Sequence, residues 1–405
     1  HGNPSRRSRH RARHDRRYDE AAKEAAKTLA AGMMAGITSP ARPWFALSTG
    51  DPDLDEQDDV KLWLKDTQQR LLRILSGSNF YAAMFNMYLE LGTFGSAVML
   101  ALEDFEDVVR FEQWTVGTYR LGVDSRRAVN TLYRKFTIKT SAAAERFGKK
   151  NLSETTQRLL EDGKDDVDIT FLHAIEPNDD RDWGSPLAKD MKWRSVYFEE
   201  KRDQAGNKKT LHPQPAKLTG FRDKPFMAPR WSTTADTASA SPWPALDCLA
   251  TNKGLQVEEL DYADAREKMH NPPLVGDSAL QQDGVDKTAG GVTYVPNMMS
   301  TGKPGLAPIY EVKPDISALI EAIEKKEAKI ERCFFADLFR LMVESDRRQS
   351  TATEVLERRE EKLLLLGPVL ERLSDELLDP VIRRVFLLAR RAKLIKEPPP
   401  VIADR

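Results

Sequence analysis

The side chains able to do chemistry are few and scattered along the chain. His10 and His14 stand four residues apart, a spacing at which one helix face can offer two imidazoles to a metal ion. They lie in an arginine-rich tail without a cysteine, and the pair reads as tail composition. Pro52-Asp53 followed by Asp59-x-Lys61 superficially matches the carboxylate–lysine set of a metal-dependent nuclease. The two halves are too close to sit on adjacent strands around a metal, and an acidic loop is the better reading. Asp104, Glu106 and Asp107 read in the same way, as a solvated turn. His173 falls in a predicted strand and is expected to be a hydrogen-bonded, semi-buried histidine instead of a base. No G-x-x-x-x-G-K-[ST] loop for phosphates and no G-x-S-x-G nucleophile turn occurs. The expectation is a protein without catalytic residues, bound metal or cofactor.

Composition narrows the remaining classes. At 405 residues, with 40 % hydrophobic and 31 % charged side chains, the chain can bury one large core or several smaller ones. No run approaches the roughly 20 apolar residues that span a bilayer, and the first residues carry arginines where a secretion signal has its apolar core. No membrane partner is expected. His1 in place of Met suggests a truncated or partly ordered chain. Cys248 and Cys333 stand alone and far apart, which fits a reducing compartment and excludes a disulfide scaffold. Lys plus Arg number 62 and Asp plus Glu 63. Tight DNA binders usually carry a basic excess, because neutralised phosphates supply most of the affinity. Any contact with DNA is therefore expected at a few places, without a strong grip.

The elements that would position such contacts begin after a basic arm of Arg6, Arg7, Arg9, Arg11, Arg13, Arg16 and Arg17, which is either a solvated tail or a nucleic-acid or partner contact. A helix is predicted over Tyr18–Gly36, another over Asp58–Leu75 with a stripe of Val60, Leu62, Leu64, Leu71, Ile74 and Leu75, and a buried one from Asn79 to Leu91. Short strands follow, the first opening at Phe94–Leu100 and the rest at Val108–Phe111, Tyr119–Val123, Thr131–Ile138, Ile169–Ile175 and Ser195–Phe198. Helices at Ser141–Phe147 and Ser153–Glu161 interrupt them, and Glu176–Pro186 and Glu199–Thr210 read as surface loops. This makes residues 90–235 a mixed α+β block.

Beyond residue 240 the pattern changes to helix, small β-containing excursion, helix. Pro244–His270 carries a stripe of Leu246, Leu249, Val257, Leu260 and Ala263 and stops at Asn271-Pro272-Pro273. Strands at Gly291–Val295 and Pro308–Val312 lie in the Gly/Pro-rich stretch that follows. Pro314-Asp315 opens a second long helix with a stripe of Ile316, Leu319, Ile320, Ile323, Ile330, Phe334, Leu338 and Leu341. A polar loop, Ser345 to Ser350, leads to the capping box Thr351-x-x-Glu354. The next helix is interrupted at Gly367-Pro368 and resumes to Leu378, and a last one covers Val381–Ile395. Arg347, Arg348, Gln349 and Ser350 are expected either to touch DNA phosphates without reading sequence or to pair locally with Glu344 or Asp346.

Five segments, in order, resemble the podovirus head-to-tail connector (portal) family. They are Leu29–Phe45, Leu91–Met99, Pro272–Val275, Phe334–Phe339 and, most specific, Thr351–Leu373 with the run Glu-Arg-Arg-Glu-Glu-Lys-Leu-Leu-Leu-Leu-Gly-Pro. The resemblance implies a predominantly helical α+β fold that assembles into a dodecameric ring at one capsid vertex. It implies an arm over 1–19, a wing over 20–242, stem helices over 243–270 and 314–344, and a clip over 271–313. It further implies a channel loop over 345–352, a wing or channel helix over 353–380, and the start of a crown over 381–405. Family members usually continue past residue 405. The clip, with Pro272, Pro273, Leu274, Tyr294 and Tyr310, would meet the terminase and later the tail adaptor. Double-stranded DNA would pass the channel, and scaffold and major capsid protein would be further partners in a virion assembled in the bacterial cytoplasm. The competing classes are a helical scaffold protein forming a small oligomer, and a metal-dependent DNA-processing enzyme using Asp53 and Asp59.

Overall fold

The computed structural model describes residues 18–202, 209–234, 238–270, 274–276, 306–308, 316–336, 339 and 366–403. The chain divides into two compact units, one of 1–24 with 248–332 and one of 25–247 with 333–405. Both helices and sheets are present, so the α+β class holds.

The larger unit opens with helices α1 (Ala21–Ile37, its first turn in the smaller unit), α2 (Pro52–Asp55), α3 (Asp58–Gly77) and α4 (Phe80–Phe94). In α4 the predicted buried set Phe80, Met84, Met87, Tyr88 and Leu91 is inside. In α3 the core takes Val60, Thr67, Leu71 and Leu75, while Leu62 is 70 % exposed, against the expected stripe. The reason is spacing: 60, 67, 71 and 75 hold one helix face, and 62 lies off it. Phe94 was expected to begin a strand, yet it closes α4, and Gly95 ends the helix at φ +75°. Only glycine suits that position, since a Cβ would sit 2.8 Å from the Trp243 ring as well as in left-handed backbone.

Strands β1 (Val98–Asp104), β2 (Val108–Trp114) and β9 (Phe226–Met227) form one antiparallel sheet in the order β2-β1-β9. The second sheet runs β3 (Tyr119–Val123), β4 (Val129–Lys139), β5 (Asp168–Pro177), β6 (Trp193–Arg202), β7 (Lys209–Leu211), with β8 (Lys217–Phe221) also paired to β6. The apolar sides of the two sheets share a core of Val98, Leu100, Trp114, Tyr119, Val129, Leu132, Ile175 and Phe226. Helices α5 (Thr140–Phe147) and α6 (Glu154–Glu161) cover a second core around Phe147, Leu152 and Phe171. The stretch Glu199–Thr210, expected as a surface loop, instead carries the ends of β6 and β7, paired Glu200↔Leu211 to Arg202↔Lys209. Its charged side chains hid a hairpin whose stability comes from ladder hydrogen bonds instead of apolar alternation.

A π turn (Ser374–Leu378) joins α10 (Gly367–Leu373) to α11 (Asp379–Arg391), followed by the short α12 (Pro400–Ala403). A break was expected near Leu378, and the helical path instead runs on past Pro380. The π turn accommodates this: the Asp379 N–H reaches five residues back to Ser374 O. The larger unit also holds α7 (Pro244–Asp247).

The smaller unit pairs α8 (Leu249–His270) with α9 (Ile316–Cys333), and its strands β10 (Leu274–Gly276) and β11 (Leu306–Pro308) are antiparallel, Leu274 opposite Pro308. The expected strand Gly291–Val295 lies outside the described residues, as does most of Pro308–Val312; β10 was not foreseen. On α8 the predicted stripe is not the buried face. Leu249 and Val257 are 43 % and 57 % exposed, Leu246 just before the helix is 39 % exposed, and Leu255 is fully buried. Helix α9 ends at Cys333 instead of continuing to Glu344, because Phe335 adopts left-handed backbone (φ 56°). Leu338 and Leu341 lie outside the described residues.

Candidate partner-docking surfaces

Of the residues expected at partner sites, Leu274 is placed in β10. Arg347, Arg348, Gln349 and Ser350 lie outside the described residues, as do Pro272, Pro273, Tyr294, Tyr310 and the arginines from Arg6 to Arg17. The capping box at Thr351 and the pair His10 and His14 are outside as well.

In the smaller unit, Gln256 on α8 holds the chain entering α1. Its Oε1 accepts from the N–H groups of Tyr18 and Asp19 (2.8 and 3.2 Å), and its Nε2 donates to Asp19 O (3.1 Å). Lys326 of α9 crosses to Glu258 of α8 at 2.6 Å. Gly254 leaves room for that lysine, since a Cβ there would stand 2.8 Å from its Nζ. Burial, with repulsion from Asp19, raises the Glu259 carboxyl above its ordinary value. Glu327 is raised by burial too, and then by Asp19 and Glu259. Apolar side chains remain on the outside of this helix pair: Leu249, Val257, Met269 and Ile320.

In the larger unit Asp53 and Asp59, weighed for chemistry, lie in the first turns of α2 and α3, and the caps there are their neighbours. Asp51 accepts from Asp53 N at the start of α2, and Asp55 accepts from the Ser48 and Thr49 hydroxyls, which holds its carboxyl below the usual range. Among the described residues no group of three or more His, Cys, Asp or Glu could hold a metal ion. His173 is buried, stacked on Tyr197 with ring centroids 3.8 Å apart, and hydrogen-bonded through Nε2 to Ser195 Oγ at 2.9 Å. Burial, then the Arg146 and Arg134 guanidiniums, push its pKa down to about 3. It is a neutral core histidine.

Sequence reading missed a polar groove of about 670 Å³ between the β8 end of the second sheet and α11. Lys192, Lys224, Arg383 and Arg384 bring positive charge to it, Asp223, Asp375 and Asp379 bring negative charge, and Trp193, Pro380 and Leu387 supply apolar wall. Two smaller hollows, of about 280 and 250 Å³, adjoin through the shared residues Lys192 and Arg384. Burial lowers Lys224 to about 8 and Arg384 to about 10, so both stay cationic at neutral pH. Asp223 accepts from Arg384 (3.4 Å) and Arg391 (3.0 Å). The contributing segments, 192–193, 223–224 and 375–387, are far apart in the chain, and no local motif announces the groove.

Two packed sheets, a helix pair, a two-strand ladder and a groove of mixed charge make up the described part of the chain. The chain belongs to the bacteriophage head-to-tail connecting protein family, whose model matches residues 2–405. It is similar to the portal protein of Salmonella phage epsilon15, 37 % identical over 366 residues, which is 90 % of this chain and 64 % of that protein. It is also similar to the probable portal protein of Bordetella phage BPP-1, 39 % identical over 363 residues, 90 % of this chain and 63 % of that one. The chain thus spans just under two thirds of the length of these relatives. No described helix is long and apolar enough to cross a membrane.

Proposed function

We propose that this chain is the non-enzymatic subunit of a portal ring, a dodecamer set at one capsid vertex. Double-stranded DNA would pass its channel during packaging and ejection, terminase and then the tail adaptor would dock on it, and scaffold and capsid protein would surround it. The observation that carries this reading, beside the family match, is the outward apolar set Leu249, Val257, Met269 and Ile320 on the paired helices α8 and α9. Exposed apolar side chains gathered on one helix pair call for a neighbour to cover them, and a ring supplies one to every copy. In this reading α8 and α9 are the stem and the β10–β11 ladder with Pro272, Pro273, Leu274, Tyr294 and Tyr310 belongs to the clip. Arg347, Arg348, Gln349 and Ser350 touch the phosphate backbone, and the arginine arm meets DNA or an assembly partner. Sparse contacts in a charge-balanced chain let DNA slide, whereas strong grips would stall it.

Native mass and end-on negative-stain images of the purified protein test this. A closed ring with a hole wide enough for duplex DNA supports it. A small, solid, stable dimer sinks it in favour of a helical scaffold protein.

A further inference from the structure

The chain leading into α1 enters the smaller unit beside a group of carboxylates. Gln256 of α8 fixes it there through the N–H groups of Tyr18 and Asp19 and through Asp19 O. On α9, Glu324, Glu327 and Glu331 stand three and four residues apart, a spacing that lines one helix face. Asp19 repels both Glu259 and Glu327, and Glu259, Glu331 and Glu324 add to the repulsion at Glu327. Like charges at this spacing destabilise a helix, so the face calls for cations.

Cations on the same elements are engaged elsewhere or stand off. Lys326 pairs with Glu258 at 2.6 Å, Lys325 with Glu321 at 2.6 Å and Lys23 with Glu20 at 3.3 Å. Lys329 is two positions from Glu327, on the opposite side of α9. Lys253 and Arg266 on α8 and Arg332 on α9 are five to seven residues from Glu259 or Glu327, about 8–11 Å along the helix axis. Residues 1–17, by contrast, carry seven arginines against one aspartate. They end at the peptide bond to Tyr18, whose N–H rests on Gln256 at 2.8 Å. Glu259 is the neighbour of Gln256 one turn on, about 5–6 Å away between Cβ atoms. Two residues span at most about 7 Å of chain, so Arg16 and Arg17 stay beside the carboxylates. So short a tether gives them a high effective concentration there.

We infer that the arginine arm of residues 6–17 seats on the Glu259–Glu327 face of the α8–α9 pair of its own copy, with Arg16 and Arg17 nearest the carboxylates. DNA or an assembly partner then competes with this face for the same arginines. The arm is released to them only where their negative charge outweighs that of the helix pair. The inference goes beyond the ring reading and holds for a single chain.

Limited trypsin digestion of the full chain tests it, with cleavage after the arm arginines followed by mass spectrometry. Wild type is compared with E259Q/E327Q, near-isosteric changes whose fold is checked by circular dichroism. At low salt the wild-type arm is expected to be cut about tenfold more slowly, the combined effect of several weak exposed pairs. The gap should close as salt screens them. Equal rates at low salt overturn the inference. An arm cut rapidly in both proteins, and protected only once a short DNA duplex is added, overturns it in favour of DNA. Should the double variant misfold, E259Q and E327Q are read singly, and no faster cleavage in either overturns the inference. Mixing E259Q/E327Q with chains lacking residues 1–17, which keep the acidic face, is expected to restore no protection. Restored protection would place the arm on another copy and overturn the contact as stated.

Discussion

Arg230 and Glu376, 146 residues apart in the chain, form a buried ion pair that ties the end of the sheet region to the π turn. The Arg230 N–H donates to Glu376 Oε2 at 2.9 Å and its Nε to Oε1 at 3.1 Å, and Arg230 Nη2 also reaches Oε1. Arg230 Nη2 further donates to Arg127 O at 3.0 Å. Removing one member of a buried pair leaves an uncompensated charge, at a cost of about 3–5 kcal/mol. Glu376→Ala is therefore expected to lower unfolding free energy by about that much in urea titration. The apolar double variant Arg230→Met with Glu376→Leu should recover part of it. A single-variant loss below about 1 kcal/mol would contradict this.

Glu199 is the corresponding tie in the second core. It is 4 % exposed and takes three donors from the start of α6: Ser153 N (2.8 Å), Ser153 Oγ (2.5 Å) and Thr156 Oγ1 (2.6 Å). Ser153 also caps the helix by accepting from Thr156 N. Hydrogen bonds to a charged group count about 1.5–3 kcal/mol each, and buried donors left unpaired cost as much again. Glu199→Leu should destabilise by about 3 kcal/mol or more, and Glu199→Gln by visibly less, when both are followed by thermal melting.

Two glycines in helices have opposite expected outcomes. A Cβ at Gly32 of α1 would run into the Phe339 ring, whereas one at Gly92 of α4 would stand 2.7 Å from Leu29 Cδ2, the end of a flexible side chain. Alanine gains up to about 1 kcal/mol over glycine in a helix interior, and overpacking a core costs about 1–3 kcal/mol. Gly92→Ala should fall close to neutral, since Leu29 can turn aside. Gly32→Ala should be destabilising by about 1–2 kcal/mol, since the buried ring has nowhere to go. Denaturation midpoints of the two variants would reverse this ranking if it is wrong.

His173 and Glu90 push stability in opposite directions as pH changes. His173 has a folded pKa of about 3 against an ordinary 6.5. The unfolded chain therefore binds the extra proton first, and stability falls as pH drops from about 6.5 towards 3, by on the order of 2 kcal/mol at pH 5. Glu90 is raised to about 7 from 4.5 by burial, with one carboxylate oxygen unpartnered. Here the folded state binds the proton first, so stability falls as pH rises from about 4.5 to 7. Glu90→Gln should exceed wild type in stability at pH 8, with the advantage shrinking as pH falls to 5. Parallel melting curves at every pH would refute it.

The elements of this protein follow from local physical chemistry, while its surfaces do not. The burial of Phe80, Met84, Met87, Tyr88 and Leu91 and the strand Tyr119–Val123 follow from neighbours within a few positions, where periodicity and backbone preference act. Five ordered segments likewise carry the family. The sequence could not say that the apolar stripe of α8 faces outward, because amphipathicity marks a face without saying whether this chain or another covers it. Nor could it show the β6–β7 hairpin, whose ladder bonds are independent of side-chain type. The Arg230–Glu376 pair and the groove of Lys192, Lys224 and Arg383 unite residues more than 140 positions apart. Coulomb and packing forces act through space, and only the folded chain decides which charges become neighbours.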